Sequence, residues 1–123
     1  MNCLFCDIPP ERVIAENDLA YAIRDGFPVT PLHTLIIPKR HAATFFDLHE
    51  DEILACNRLM QDLRAAILSE DPTVDAFNIG MNAGEAAGQT VFHCHIHLIP
   101  RRNGDVENPR GGVRHLIPGK GFY

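Results

Sequence analysis

Apolar and polar positions recur with two different periods along this chain, and the change of period marks its elements. The stretch "VIAENDLAYAIRD", residues 13–25, reads as two short strands, about 13–15 and 19–24, joined by a hairpin-type turn at Glu16-Asn17-Asp18. A loop broken by proline and glycine, "GFPVTP", leads into "LHTLIIPK" at residues 32–39, a third strand of β-branched and apolar residues that Pro38 stops. Between residues 49 and 70 the period lengthens. Ile53, Cys56, Met60, Leu63 and Ile67 recur at spacings of three and four, the stripe of a helix that lies on a sheet. Glu50, Asp51 and Glu52 suit the positive end of its dipole, Asp47 or His49 is placed to cap it, and Pro72 forbids its continuation. "AFNIGMN" at 76–82 and "VFHCHIHLIP" at 91–100 read as the fourth and fifth strands, linked by "AGEAAGQT" with turn glycines Gly84 and Gly88.

Strands, one long helix and then strands predict an α+β domain with a mostly antiparallel, five-stranded sheet. With no G-x-G-x-x-G after a strand, no Walker loop and no βαβ alternation, a Rossmann unit is excluded. The chain's 123 residues suffice for one domain with a real core. Its apolar runs stay well short of the roughly 20 residues that cross a bilayer, and "MNCLFCDIPP" lacks the pattern of a secretory signal, so a cytoplasmic location is expected. A net charge of −5 without a basic, aromatic-interleaved stripe argues against a nucleic-acid surface. An anionic ligand would then be met locally, by Lys39 and Arg40, by Arg101 and Arg102, or by the tail "NPRGGVRHLIPGKGFY". That tail carries Arg110, Arg114, His115 and Lys120 with no acid after Glu107, and reads as a charged lid or a solvated end.

The candidate chemistry gathers in "HCHIHLIP", where His93, His95 and His97 occupy every second position. On a strand the three imidazoles would share one face, with Cys94, Ile96 and Leu98 on the other; on a helix they would share none. Such a row can ligate a metal. It can also offer one neutral imidazole as a nucleophile beside donors for an anionic substrate. It can finally be a hydrogen-bonded polar face, a reading that suits a lone histidine better than three in alternation. The loop "NAGEAAGQT" ends beside the row, so its backbone N–H groups, Gln89 and the Thr90 hydroxyl form a candidate cradle for an oxyanion. Near the start, "CLFC" pairs Cys3 with Cys6 at the spacing of half a tetrahedral zinc site, of two reduced thiols or of a redox couple. Cys56 and Cys94 fall on apolar faces and read as core.

The run His93-Cys94-His95-Ile96-His97-Leu98-Ile99 resembles the H-φ-H-φ-H-φ-φ signature, φ being apolar, of the histidine triad (HIT) family of nucleotide hydrolases and transferases. The likeness extends to "CLFCDI", "DGFPVTPLHTLIIPKRH" and "NIGMNAGEAAGQTV", covering most of residues 3–102. It implies a HIT domain over residues 1–106 and a homodimer whose sheets join edge to edge; the tail over 107–123 lies outside the likeness and is expected to cross toward an active site. Each subunit would bind a purine nucleotide of AMP type. His95 would attack the α-phosphorus to give a covalent nucleotidyl-histidine, His97 would donate to the same phosphate, and Gln89 and Thr90 would hold its oxygens or the leaving group. Asp25 falls at the ribose position. Leu4, Phe5, Ile8 and Ile23 fall on the apolar wall around the base, each with a plain core reading beside it; Asn82 and Gly88 border the phosphate, where Asn82 also serves as a turn cap.

The resemblance completes the C-x-x-C pair with two histidines, making Cys3, Cys6, His41 and His93 a structural zinc site and requiring no catalytic metal. His49 is an alternative fourth ligand, and His33 and His115, without an implied role, are expected at the surface. The implied activity is that of a phosphoramidase or a dinucleoside polyphosphate hydrolase, two branches whose triads look alike. A nucleotide-binding or partner-binding module with incidental turnover is the alternative, and metal-dependent hydrolysis at the triad a third.

Overall fold

The strands with the least polar sequences form the middle of the sheet. In the computed structural model, which describes residues 3–123, β2 (Ala20–Arg24) and β3 (Thr34–Pro38) are buried along almost their whole length. Met1 and Asn2, the first two positions of the expected domain, lie outside the described residues. β1 (Val13–Glu16) flanks β2, while β5 (Ile96–Arg102) and then β4 (Val74–Gly80) flank β3, giving the order β1-β2-β3-β5-β4 with every neighbour antiparallel. The α+β expectation therefore holds. The β1–β2 turn forms as expected, and Asn17 fastens it: its Oδ1 accepts from the Leu19 and Ala20 amides, and its Nδ2 donates to the Ala55 carbonyl.

The long helix α1 spans Glu50–Glu70 and stops one residue before the Asp71-Pro72 pair. Its buried stripe is Glu52, Ala55, Cys56, Leu59, Leu63 and Ile67, so the predicted stripe is displaced by part of a turn, with Ile53 and Met60 on its margins. Ala20 and Ala22 of β2 supply no bulk, so the helix packs directly on the sheet against Ile36, Ile96 and Leu98. Each of Leu59, Leu63 and Ile67 contributes about 1.5–3 kcal/mol by leaving water. Glu52 was expected only to complement the dipole. Instead its carboxylate is buried and takes two bonds from Arg40, at 2.8 and 2.9 Å, and one from the His49 amide. The Arg40 hydrogen bonds hold its pKa below the usual carboxylate value. This pair ties the segment after β3 to the start of α1.

Among the described residues the opposite face of the sheet carries no α-helix, only the single 3₁₀ turn Leu4–Cys6 of the N-terminal segment. There Tyr21, Ile23, Leu35 and Ile37 are covered by the N-terminal segment through Phe5, with Ile8 packed alongside, and the Tyr21 hydroxyl donates to the Phe5 carbonyl. Antiparallel register sets His97 of β5 opposite Leu35 on one side and Gly80 of β4 on the other. A Cβ on Gly80 would meet nothing within 4 Å, so this face stays open beside His97. Among the described residues no helix is long and apolar enough to cross a membrane.

Candidate active site

The row of histidines is only partly on the strand. β5 starts at Ile96, and residues 91–95 run as a bent approach to it, where a strand from residue 91 was expected. The bend has two local causes. The Cys94 amide pairs with the Ala42 carbonyl in the loop after β3, at 2.7 Å, and the His93 ring is drawn to full burial under the N-terminal segment. Alternation otherwise survives: Cys94, Ile96 and Leu98 are buried, while His95 and His97 are partly exposed with ring centroids 5.4 Å apart.

His93 faces inward. Its Nε2 lies 2.7 Å from the Pro38 carbonyl, which can only accept, so the proton is on Nε2 and the Nδ1 lone pair points the other way. That lone pair meets Cys3 Sγ and Cys6 Sγ, each at 3.4 Å, while His41 Nδ1 stands 3.3 Å from Cys6 Sγ. All four ligand atoms lie within 4.8 Å of one another. A tetrahedral zinc with ordinary Zn–S and Zn–N bonds would separate sulfur from nitrogen by about 3.5 Å, so the donor set and its spacing fit that ion. His49, the other candidate ligand, is the exposed N-cap residue of α1 and stands outside this cluster.

His95 is oriented by the same residue. Its Nδ1 donates to the His93 carbonyl at 2.8 Å, which leaves Nε2 with a free lone pair, and its ring packs against Phe5 with centroids 4.9 Å apart. His97 turns its Nδ1 toward His33 Nε2, 2.9 Å away. His33 was expected at the surface and is instead 2% exposed, because β3 carries it onto the face that bears His97. Its parity with Leu35 and Ile37 was visible in the sequence; that β3 lies next to β5 was not. Asp25 completes this side, accepting from the Phe27 amide at 2.8 Å, with its second oxygen 3.4 Å from His33 Nε2 and 4.0 Å from His97 Nδ1.

Residues 8–104 match the HIT domain. The chain belongs to the HIT family. An adenylylsulfatase of Arabidopsis thaliana is 36% identical to this HIT protein over 108 residues, 85% of this chain and 54% of that one. Among solved structures, a zinc-bound histidine triad family protein from Mycobacterium smegmatis is 38% identical with a TM-score of 0.75, covering 84% of this chain and 77% of that one. A HIT family hydrolase from Legionella pneumophila is 36% identical with a TM-score of 0.68, covering 82% and 94% respectively.

The fold of this HIT protein brings His95, His97, Asp25 and Phe5 to one place, with Ile8 and Ile23 in the apolar cluster that Phe5 joins; Leu4 beside them is 59% exposed. Gln89 differs from its expected use at the phosphate. It is buried, its Oε1 accepts from the Gly84 amide, and its Nε2 donates to the carbonyls of Ala43 and Val91, so both amide protons are spent holding the loop. Gly84 and Gly88 take φ of +103° and +94°, angles that L side chains rarely adopt. Thr90 remains exposed, and Asn82 half-buried, at the two ends of that loop. Arg101 and Arg102, proposed above as anion contacts, are committed elsewhere: Arg101 to Asp105 and Asn78, Arg102 to Asp71 and the Pro31 carbonyl.

The tail folds back on itself. Gly111 passes so close to the Gly121 carbonyl that a Cβ would sit 2.0 Å from it, and the guanidiniums of Arg110 and Arg114 lie 4.6 and 4.9 Å from the Tyr123 ring centre. With Val113 and Leu116 it walls a cavity of about 600 Å³ whose other side includes Thr30, Asn78 and Ile99. His115 is exposed, as expected.

Burial lowers the pKa of His97 from 6.5 to about 4, reinforced by His95 and His33 and opposed by the Asp25 carboxylate, the groups that face it. Between those values the unfolded chain takes up a proton that the folded chain does not, so stability falls as pH falls through this window. From pH 7 to pH 5 the share of His97 is about 1–2 kcal/mol. Urea unfolding at both pH values should show a smaller acid loss in His97→Gln than in the native protein, by about that amount. Equal losses would refute the assignment.

Proposed function

We propose that this HIT protein hydrolyses purine nucleoside phosphoramidates or phosphoanhydrides through a nucleotidyl-histidine on His95, working in the cytoplasm. The observation that carries this reading is the His95 ring itself, held by the His93 carbonyl with its Nε2 lone pair free on the open face of the sheet. In the first step Nε2 attacks the α-phosphorus, the P–N or P–O bond to the leaving group breaks, and a proton reaches that group. In the second, water attacks the same phosphorus, the N–P bond breaks, and the nucleoside monophosphate leaves with His95 restored. His97 and the exposed Thr90 hydroxyl stabilise charge on the phosphate oxygens, with Asn82 and Gly88 bordering them and Gln89 keeping the loop in shape. Asp25 receives the ribose hydroxyls, and the base lies against Phe5, Ile8, Ile23 and Leu4. The hydrolase among the solved neighbours and the adenylylsulfatase among the relatives support the reaction class.

Zinc is the structural ion of this reading, held by Cys3, Cys6, His41 and His93; the zinc-bound neighbour supports it. Such an ion fastens the N-terminal segment over the sheet face and fixes the ring whose carbonyl orients His95. Two subunits pair through the outer edge of β4, an edge strand, into one continuous sheet. The tail, residues 107–123, sorts substrates by their leaving groups, since its cavity opens on the face that carries Ile99, the next residue after His97 on that side of β5.

Purified protein should release AMP from adenosine 5′-phosphoramidate, and folded His95→Ala should be slower by about 10³-fold or more. Equal activity would remove His95 as the nucleophile; no turnover on this substrate or on diadenosine polyphosphates would give the lead to a binding module. Cys3→Ser and Cys6→Ser should each lose bound zinc by elemental analysis and several kcal/mol in urea unfolding, whereas unchanged stability would make the metal incidental. Deleting residues 107–123 should change the ratio of kcat/KM for phosphoramidate against diadenosine polyphosphate by about tenfold. An unchanged ratio would reduce the tail to a solvated end.

A further inference from the structure

The apolar wall that lies against His95 ends at one cation. Phe5 packs on the His95 ring, and Ile8, Val13 and Ile23 continue the cluster that Phe5 joins. Antiparallel register sets Val13 opposite Ile23, so Arg12, the residue before Val13, stands beside the end of β2, where the chain leaves the strand through Asp25 and Gly26. Arg12 is half-buried and held there: its Nη2 donates to the Arg24 carbonyl at 3.3 Å, and its charge reaches the Tyr21 hydroxyl of the same cluster. A Cβ added to Gly26 would lie 3.8 Å from Arg12 Nη2 and, chain neighbours aside, within 4 Å of nothing else. The space next to Asp25 is therefore open, and the guanidinium borders it. Among the described residues Arg12 makes no ion pair and no hydrogen bond other than the one to Arg24, so its remaining N–H groups have no protein acceptor.

We propose that Arg12 reads the edge of the purine and makes the site prefer a 6-oxopurine nucleotide, with guanine or hypoxanthine as its base, over an adenine nucleotide. This rests on the reading that His95 receives the α-phosphorus and Asp25 the ribose, two contacts that carry the base onto the wall formed by Phe5, Ile8 and Ile23. A base lying there turns one edge to the guanidinium. Guanine and hypoxanthine offer two acceptors on a single edge, O6 and N7, which match the two parallel N–H donors of an arginine fork. Adenine carries an amino group in place of O6, and its hydrogens would face those of Arg12. Phe5, Ile8 and Ile23 do not discriminate between the two, since an apolar surface scarcely senses that exchange. Arg12 bonds to neither His95 nor His97, so its part is in binding and not in the displacement at phosphorus.

The test uses the full chain as purified, with Arg12→Met and Arg12→Lys beside it. Calorimetry would give Kd for GMP, IMP and AMP, and kinetics kcat/KM for guanosine and adenosine 5′-phosphoramidates. Native protein should bind GMP and IMP about tenfold more tightly than AMP, and the two kcat/KM values should stand in the same ratio. Arg12→Met keeps the side-chain stem and should bring the three nucleotides to nearly one Kd, by weakening GMP and IMP alone. Arg12→Lys keeps the charge without the fork and should lose most of the preference. The inference is overturned by native protein that binds the three alike or binds none of them, or by IMP that follows AMP, which would move the discrimination to the 2-amino group. It is also overturned by an Arg12→Met protein that weakens all three together, the mark of a residue that only props the end of β2. If one variant does not fold, the native order of Kd values and the other variant decide. If native protein binds in the stated order but turns over neither phosphoramidate, the hydrolase reading fails and the base preference stands.

Discussion

An imidazole is tolerated in a protein interior only when its ring nitrogens find partners, and His93 finds them in three directions. Its Nε2 donates to Pro38 at the end of β3, its Nδ1 faces the thiols of Cys3 and Cys6, and its carbonyl receives the Nδ1 proton of His95. One residue thereby joins the sheet, the N-terminal segment and the candidate nucleophile. The chain cannot continue as regular strand through such a point, which is why β5 begins only at Ile96. Displacing the His93 ring would release Phe5 from one wall of the site as well as the carbonyl that sets the His95 tautomer.

The two faces of the sheet divide the remaining work. On one, small Ala20 and Ala22 admit α1, and the buried residues of the contact are apolar apart from Glu52, whose charge is neutralised by Arg40. On the other, a short N-terminal segment replaces a helix and leaves a stretch of sheet uncovered around His97, with Gly80 beside it. Side chains that point alternately up and down thus read as core at Ile96 and Leu98 and as chemistry at His95 and His97.

Period and composition made much of this legible: the helix to within a residue at each end, all five strands and the histidine row, while the two histidines beside Cys3 and Cys6 came from the likeness to the HIT family. The positions misread share a physical reason. Glu52 looked like an ordinary acid of a first helical turn because its partner, Arg40, lies before the helix in an irregular segment. Gln89 looked like a phosphate ligand because its carbonyl partners, Ala43 and Val91, are backbone atoms and leave no mark in side-chain pattern. His33 depends on which strands are neighbours, and strand order follows from the crossover through α1 and not from local period.

The pairing of the arginines bears on how an anion is received. Arg101 is neutralised by Asp105, Arg102 by Asp71 and Arg40 by Glu52, so none of these three side chains brings an unbalanced charge to the open face. His97, with its pKa lowered to about 4, is neutral at pH 7 as well. Under the proposed reaction, a phosphate beside His95 would meet a set of oriented dipoles: the neutral His97 ring, the Thr90 hydroxyl and loop amides held by Gln89. Fixed dipoles need no reorganisation as charge shifts between phosphorus and leaving group, whereas a full positive charge would bind substrate and product tightly alike. A site built this way depends on where each proton sits, and the carbonyl of His93, which holds the Nδ1 proton of His95, is a backbone group that does not titrate near neutral pH. That makes the proton arrangement a property of the fold, set before any ligand arrives.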